Sequence, residues 1–135
     1  MSMDEISVRS LLERHWEFAG SKDQSIAHEI YHDDAVLEFP QSGERFIGKE
    51  RFQAFREKYP ANLNFKIRRI TGSGDLWVAE NLISYDGGPW MFTVNVLRFR
   101  GSKVAAEYIY IMEGFERPQW RVEFGEAFDS LAPLD

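Results

Sequence analysis

The 135-residue chain contains no cysteine. Residue type alone therefore excludes a disulfide framework, a thiolate zinc site and a cysteine nucleophile, and any catalysis is expected to be acid–base chemistry without a cofactor. Long apolar runs are missing too: no stretch approaches the roughly 20 residues that span a bilayer. The start, Met-Ser-Met-Asp-Glu, is acidic rather than basic and then apolar, so we expect a cytoplasmic protein.

An excess of positive charge is also absent. The formal net charge is −6, which repels phosphate backbones and anionic lipid surfaces, so neither nucleic acid nor membrane is an expected partner. The composition is 44% hydrophobic, 15% aromatic and 28% charged. These values indicate a globular protein with a high content of aromatic side chains. This length is typical of one domain, and we predict a single domain over residues 1–135.

Apolar residues at helical spacing predict two helices near the N-terminus. In the first, a capping box Ser2-x-x-Glu5 precedes an apolar stripe of Val8, Leu11, Leu12, Trp16 and Ala19. In the second, Ser21-x-x-Gln24 repeats the capping pattern and the helix is predicted to end near His32. Its apolar face consists of Ile26, Ala27, Ile30 and Tyr31.

The rest of the chain reads as one strand, a third helix and four more strands. Residues 35–39 form a strand that stops at Pro40, and the third helix runs from Gly48 to Pro60. The later strands, separated by glycine-rich turns, are Leu63–Ile70, Leu76–Tyr85, Trp90–Arg100 and Val104–Glu113. Helices first and strands last predict an α+β fold, and the aromatic tail, residues 121–135, is expected to dock over an opening.

This order of elements resembles the nuclear-transport-factor-2-like superfamily. The phrases YHDDAVLEF at 31–39 and VNVLRF at 94–99 are similar to its SnoaL-like polyketide cyclases, and EYIYIMEGFERPQWR at 107–121 to uncharacterised relatives. The resemblance implies a cystatin-like cone, in which a curved antiparallel sheet packs against N-terminal helices around a pocket for a small, largely apolar molecule. Because the superfamily includes isomerases, cyclases, dehydratases and non-catalytic proteins, both enzyme and binding module stay open.

Ketosteroid isomerases of this superfamily use a carboxylate base, with a tyrosine and a protonated aspartic acid holding the oxyanion. The resemblance places Phe39 at the base position, His15 at the tyrosine position and Asn95 at the acid position. The isomerase base is therefore missing. SnoaL-like members often carry a polar residue on the last long strand, where Glu107 falls, and Glu107 is the predicted proton-transfer residue.

Each candidate catalytic residue also has a structural interpretation. His15 lies in the apolar stripe of the first helix, where it either polarises a carbonyl or is a core histidine with one hydrogen bond. Asn95 either donates to an oxyanion or makes an ordinary cross-strand bond. Glu107 is the charged residue among Ala105, Ile109 and Ile111, and otherwise turns to solvent or pairs with Arg98 or Arg100.

The pocket lining is predicted less sharply. The turn before the third of the long strands allows either register, and we favour Glu80 over Asn81 as the inward residue. Aromatic residues predicted to line the pocket, or else only to fill the core, are Trp16, Tyr31, Phe39, Phe55, Tyr59 and Trp120.

The sequence His28-Glu29-Ile30-Tyr31-His32 is a literal H-E-x-x-H zinc-protease motif on a predicted helix. The apolar face of that helix would turn both histidines to solvent, and no third histidine follows, so we discount a protease and keep only incidental zinc binding.

Two functional hypotheses follow. The first is a cofactor-independent isomerase, cyclase or dehydratase in which Glu107 moves a proton while His15 and Asn95 steady the enolate oxygen. The second is a non-catalytic ligand-binding or dimerisation module. An apolar strand face predicts a homodimer, and its members are Trp90, Phe92, Val94 and Val96.

Overall fold

A computed structural model describes residues 4–134 of the chain. The first helix, α1, spans Glu5–Phe18, and the Asp4 carboxylate caps it by accepting from the Ser7 backbone N–H at 2.8 Å. Ser2, which belongs to the predicted capping box, lies outside the described residues. The apolar stripe of α1 is buried as predicted, through Val8, Leu12 and Trp16.

The predicted second helix is wrong. Only a single 3-10 turn forms, over Ala27–Ile30, and the first strand, β1, already begins at Tyr31 and runs to Phe39. The strand therefore includes His32, where the helix was predicted to end, and the two aspartates that follow it. Pairing with another strand outweighs the local helical pattern here, since tertiary context overrides propensity.

A short strand that the sequence did not predict follows β1. This strand, β2, spans Glu44–Ile47 and pairs antiparallel with β1. Gly43 and Gly48, at its two ends, have φ of +70° and +95°, values that suit glycine. The third predicted helix is present as α2, Lys49–Glu57, so Tyr59 lies just beyond it.

The four long strands form the predicted meander. They are β3, Leu63–Ser73; β4, Leu76–Tyr85; β5, Met91–Arg100; and β6, Lys103–Met112. Together with β1 and β2 they make one curved sheet in the order β2-β1-β6-β5-β4-β3. The α+β class is confirmed, but one pair departs from the predicted antiparallel sheet: β1 runs parallel to β6, with Leu37 opposite Glu107.

The sheet has an inner face towards the helices and an outer face away from them. The structure shows which residues of β4 face inward. Asn81 is buried, whereas Glu80 is partly exposed and pairs with Arg69 at 2.6 Å. The preference for Glu80 as the inward residue is therefore wrong. The core between α1, α2 and the inner face contains Leu12, Leu37, Phe52, Trp77 and Leu97.

After β6 the chain forms a tail, residues 113–134, with one 3-10 turn at Gln119–Phe124. It returns along the outer face, and the Leu134 N–H donates to the Arg68 carbonyl at 2.6 Å. The tail was expected to dock over an opening, but its described residues lie along the outer face of the sheet instead. Within residues 4–134 no helix is long and apolar enough to cross a membrane.

Candidate active site

A cavity of about 500 Å³ lies between the helices and the inner face of the sheet. Its walls are mainly aromatic and aliphatic side chains, and its polar groups cluster on β5, β6 and the inner sides of the helices. The rings that line it are Trp16, Phe39, Phe46, Phe55, Tyr59, Phe65 and Tyr85. Such a pocket, apolar with a few convergent polar groups, is the usual form of a small-molecule site.

The carboxyl group of Glu107 lies at the polar end of the cavity and is 1% exposed. One oxygen accepts a short hydrogen bond from the Tyr31 hydroxyl, and the other accepts from Asn95 Nδ2 at 2.8 Å. Asn95 is held in turn, because its Oδ1 accepts from Thr93 Oγ1 at 3.0 Å. Both hydrogen-bond partners of Glu107 are donors, so each carboxyl oxygen serves as an acceptor.

Arg56 supplies the positive charge of the site. It projects from α2 into the cavity, and its Nη1 donates to the Tyr31 hydroxyl oxygen at 3.3 Å and to His28 Nε2 at 3.1 Å. Its guanidinium carbon lies 5.5 Å from the centre of the Phe52 ring, within cation–π range. Burial opposes the charged form of Arg56, but the adjacent Tyr31 hydroxyl and the charge of Glu107 outweigh burial and raise the pKa of Arg56.

Tyr31 links the two charges. Its hydroxyl donates to Glu107 and accepts from Arg56, so the bond directions run consistently from the cation to the carboxylate. Burial and then the Glu107 charge raise the pKa of the Tyr31 hydroxyl, which keeps its proton. Tyr31 therefore lies behind Glu107, rather than on the cavity wall where the sequence placed it.

His15 is buried beside the cavity, and its Nδ1–H donates to the Ala27 carbonyl at 2.6 Å. Burial, and then the positive charge of Arg56, lower the pKa of His15 to about 3. The neutral ring consequently offers a bare Nε2, which accepts a hydrogen bond and donates none. This geometry contradicts the predicted role of His15 as a donor to an enolate oxygen.

His28 is also buried, contrary to the expectation that it faces solvent. Its Nδ1–H donates to the Gln24 carbonyl at 2.8 Å, which leaves Nε2 to accept from Arg56. His32 lies on β1 and bonds the Arg100 carbonyl at 2.6 Å. The H-E-x-x-H residues therefore share no helix face, and among residues 4–134 no three histidine, aspartate or glutamate side chains are grouped to hold a metal ion.

The structure brings most of the predicted site residues together. Glu107, Asn95 and His15 share the cavity with Trp16, Phe39, Phe55 and Tyr59. Glu80 lies on the opposite sheet face, and Trp120 is 75% exposed on the tail. The ion pair considered for Glu107 with Arg100 does not form, because Arg100 pairs with Asp34 at 2.8 Å.

Arg56 is the site residue that the sequence prediction missed. Phe55 and Tyr59, which were predicted to line the pocket, share one side of the third helix with Phe52, and Arg56 completes their spacing of three and four residues. A charged residue inside an apolar helical stripe was the available signal.

The two buried histidines predict a loss of stability in mild acid. The folded state keeps His15 and His28 neutral, with pKa values of about 3 against 6.5 in an unfolded chain. Their contribution is present above pH 6.5 and is lost as the pH falls towards 3, because only the unfolded chain takes up the protons. We expect about 2 kcal/mol lost per histidine between pH 7 and pH 5.

Urea unfolding at pH 7, 6 and 5 measures this loss. The His15→Asn variant can keep the bond to the Ala27 carbonyl, since the amide nitrogen of asparagine replaces Nδ1. It should show a shallower pH dependence than the wild type. An equal slope in both proteins would contradict the assignment of His15 as a neutral buried ring.

Comparison with known proteins agrees with this geometry. A curved sheet wrapped around a helix-covered cavity defines the nuclear-transport-factor-2-like class. Within it, the model of the SnoaL-like domain matches residues 12–107, more than half of the chain. The chain therefore belongs to the SnoaL-like domain family.

Solved structures support the same assignment. An NTF-2 like protein of unknown function from Burkholderia xenovorans LB400 is 39% identical, with a TM-score of 0.87 over 95% of this chain and 100% of that one. A ketosteroid isomerase candidate from Kribbella flavida DSM 17836 is 18% identical, with a TM-score of 0.82 over 96% of each chain. At that identity the second likeness concerns the fold alone. No curated protein matches the sequence.

Proposed function

We propose that this protein binds a small, largely apolar ketone in the cavity and removes a proton from the carbon next to its carbonyl, with Glu107 as the base. The observation that carries the proposal is a buried carboxylate at the polar end of an aromatic cavity. The cavity volume of about 500 Å³ suits a molecule of roughly 15 non-hydrogen atoms, at about 30 Å³ for each water-sized group.

The proposed step conserves charge within the site. Glu107 takes the proton, the C–H electron pair becomes part of a carbon–carbon double bond, and the carbonyl π pair moves onto oxygen to give an enolate. Negative charge thus passes from Glu107 to the enolate oxygen, and Arg56 lines the same cavity as Glu107. Return of the proton from Glu107 to a different carbon completes an isomerisation. In a cyclisation the enolate carbon attacks a second carbonyl carbon, the π pair of that carbonyl moves onto its oxygen, and this oxygen takes the proton from Glu107.

Arg56 is the proposed donor to the enolate oxygen. Both of its hydrogen bonds to residues 4–134 are donated by Nη1. The N–H groups of Nη2 and Nε make no hydrogen bond to these residues. A charged donor in a cavity walled by rings stabilises developing negative charge more strongly than it would in water. Arg56 thereby replaces His15 in the role that the sequence suggested.

The second candidate function is binding without catalysis. It is favoured by Phe39, which lines the cavity at the position where the resembled isomerases carry their base. The Glu107 oxygens also each have a protein partner already, as expected of a structural carboxylate.

Two measurements on purified protein separate these candidates. The first is the thermal shift with steroids, polyketide-like ketones, fatty acids and zinc, since a ligand at 100 times its Kd stabilises by about 2.7 kcal/mol. The second is deuterium incorporation from D₂O into the α-carbon of each ketone that gives a shift, followed by proton NMR. The enzyme hypothesis predicts both a thermal shift and faster deuterium incorporation into the ketone. The matching alcohol is the control, because it can bind but has no carbonyl to activate exchange.

A shift without any faster incorporation would select the binding module. A shift with zinc alone would contradict both the ketone proposal and the assignment of His28 as an internal partner of Arg56.

A further inference from the structure

His15 presents a hydrogen-bond acceptor at the cavity. The ring is 4% exposed and lines the cavity, and its Nδ1–H donates to the Ala27 carbonyl. The two nitrogens of an imidazole point in divergent directions, so Nε2 is aimed away from Ala27. Because the proton is on Nδ1, Nε2 carries a lone pair that can only accept a hydrogen bond.

This acceptor is open to the cavity rather than enclosed by protein. Nε2 makes no hydrogen bond to residues 4–134, yet the one buried side-chain atom without a partner in this part of the chain is Arg68 Nε, on the outer face of the sheet. His15 Nε2 therefore has free space beside it. The free space that the His15 ring borders is the ligand cavity.

A ligand without a hydrogen-bond donor would leave Nε2 unpaired. A plain ketone that fills the cavity displaces water from Nε2, and the ketone oxygen is itself an acceptor that cannot replace the lost bond. Leaving a buried acceptor without a partner lowers affinity by about 10- to 100-fold. The cavity therefore favours a ligand that carries a donor as well as a carbonyl.

The charges near His15 favour a neutral donor. Burial is the first cause of the low pKa of His15 and the positive charge of Arg56 is the second, so this charge acts at the ring. Arg56 would repel an ammonium group beside Nε2, whereas a hydroxyl group has no net charge. His15 and Glu107 also both contact Tyr31, through an edge-on ring contact and a hydrogen bond respectively. The donor and the carbonyl of the ligand thus belong at the same end of the cavity.

We propose that the ligand is a hydroxyketone whose hydroxyl group lies close to the carbonyl and donates to His15 Nε2. This inference rests on the proposed function, since it takes a ketone to be bound with its reacting carbon at Glu107. His15 is then a specificity residue. It moves no proton, and it selects hydroxyketones over plain ketones of similar size.

The test compares three ketones that share a frame of two phenyl rings. Benzoin has a hydroxyl group next to its carbonyl, benzoin methyl ether has an ether oxygen there that accepts but cannot donate, and deoxybenzoin has only hydrogen. Isothermal titration calorimetry of the full chain should give the wild type a Kd for benzoin at least about 10-fold below its Kd for either other ketone.

Two variants assign this preference to His15. His15→Asn can keep the bond to the Ala27 carbonyl but has no atom at the position of Nε2, so it should lose the preference for benzoin. His32→Asn makes the same change on β1, where the side chain bonds the Arg100 carbonyl and does not line the cavity. It should keep the wild-type preference.

Nitrogen-15 NMR of the histidine rings tests the acceptor without any ligand. At neutral pH, His15 should have a protonated Nδ1 and an unprotonated Nε2, and benzoin should shift the Nε2 resonance. A proton on Nε2 in the free protein would overturn the proposal. Equal wild-type affinities for benzoin and its methyl ether would overturn it as well.

The proposed function fails on different results. A preference for benzoin that depends on His15, without faster deuterium incorporation into any of the ketones, would support the hydroxyketone ligand and remove the catalysis. If deoxybenzoin binds as tightly as benzoin and incorporates deuterium faster, the ketone chemistry stands and the role of His15 is wrong. Failure of all three ketones to bind would overturn both proposals.

Discussion

Glu107→Gln is expected to slow α-carbon deuterium incorporation by about 10² to 10⁴-fold relative to wild type, the usual contribution of a positioned general base. The variant keeps the size of the side chain and loses the basic oxygen. Its stability falls as well, because Tyr31 and Asn95 both donate to Glu107 and a glutamine amide presents its NH₂ group to one of these donors. The expected cost is about 1–3 kcal/mol in the free energy of unfolding.

The matched control for this variant is Glu80→Gln. Glu80 lies on the outer face, and its exposed ion pair with Arg69 contributes at most about 1 kcal/mol. Its exchange rate and unfolding curve should therefore follow the wild type. If Glu107→Gln folds and exchanges deuterium as fast as Glu80→Gln, Glu107 is not the base.

Arg56→Met is expected to lower the same exchange rate by about 10² to 10³-fold, the typical effect of removing an oxyanion donor. Methionine keeps an apolar stem against Phe52 and Phe55, so the cavity wall is retained and ketone binding should persist as a thermal shift. The rate is lost because the enolate and Glu107 no longer face a cation. Binding without turnover is the distinguishing result.

Arg51→Met is the control for the loss of one guanidinium charge from α2. Arg51 lies on the same helix, α2, but is exposed, so its removal changes net charge without touching the cavity. Equal exchange rates in Arg56→Met and Arg51→Met would remove Arg56 from the mechanism. Loss of the thermal shift in Arg56→Met alone would instead assign this arginine to binding.

Local signals account for the parts of the fold that the sequence predicted. The strands β3 to β6 alternate apolar residues and are separated by glycine-rich turns, which specify hairpins without distant information. Glu107 could be found for a similar reason, because it is a charged residue on an otherwise apolar strand face. The family resemblance then predicted that the helices and the curved sheet enclose a pocket.

The missed features depend on contacts that no local pattern contains. Residues 26–31 have helical periodicity, but Tyr31 joins a strand because β6, far along the chain, is there to pair with it. The inward position of Asn81 depends on the register between β4 and β5, which a one-residue change reverses. His28 was placed outside because its partner, Arg56, belongs to another helix.

The parallel pairing of β1 with β6 also determines when a binding site can exist during folding. Tyr31 and Glu107 are 76 positions apart, and their contact closes a loop that contains almost every other element. Helix α1 and the later hairpins can form from residues that are neighbours in the chain. The contact between Tyr31 and Glu107 instead costs the conformational entropy of closing the whole loop. A chain still emerging from the ribosome has no cavity until β6 is complete, so the proposed ligand can stabilise only molecules in which β6 has paired with β1.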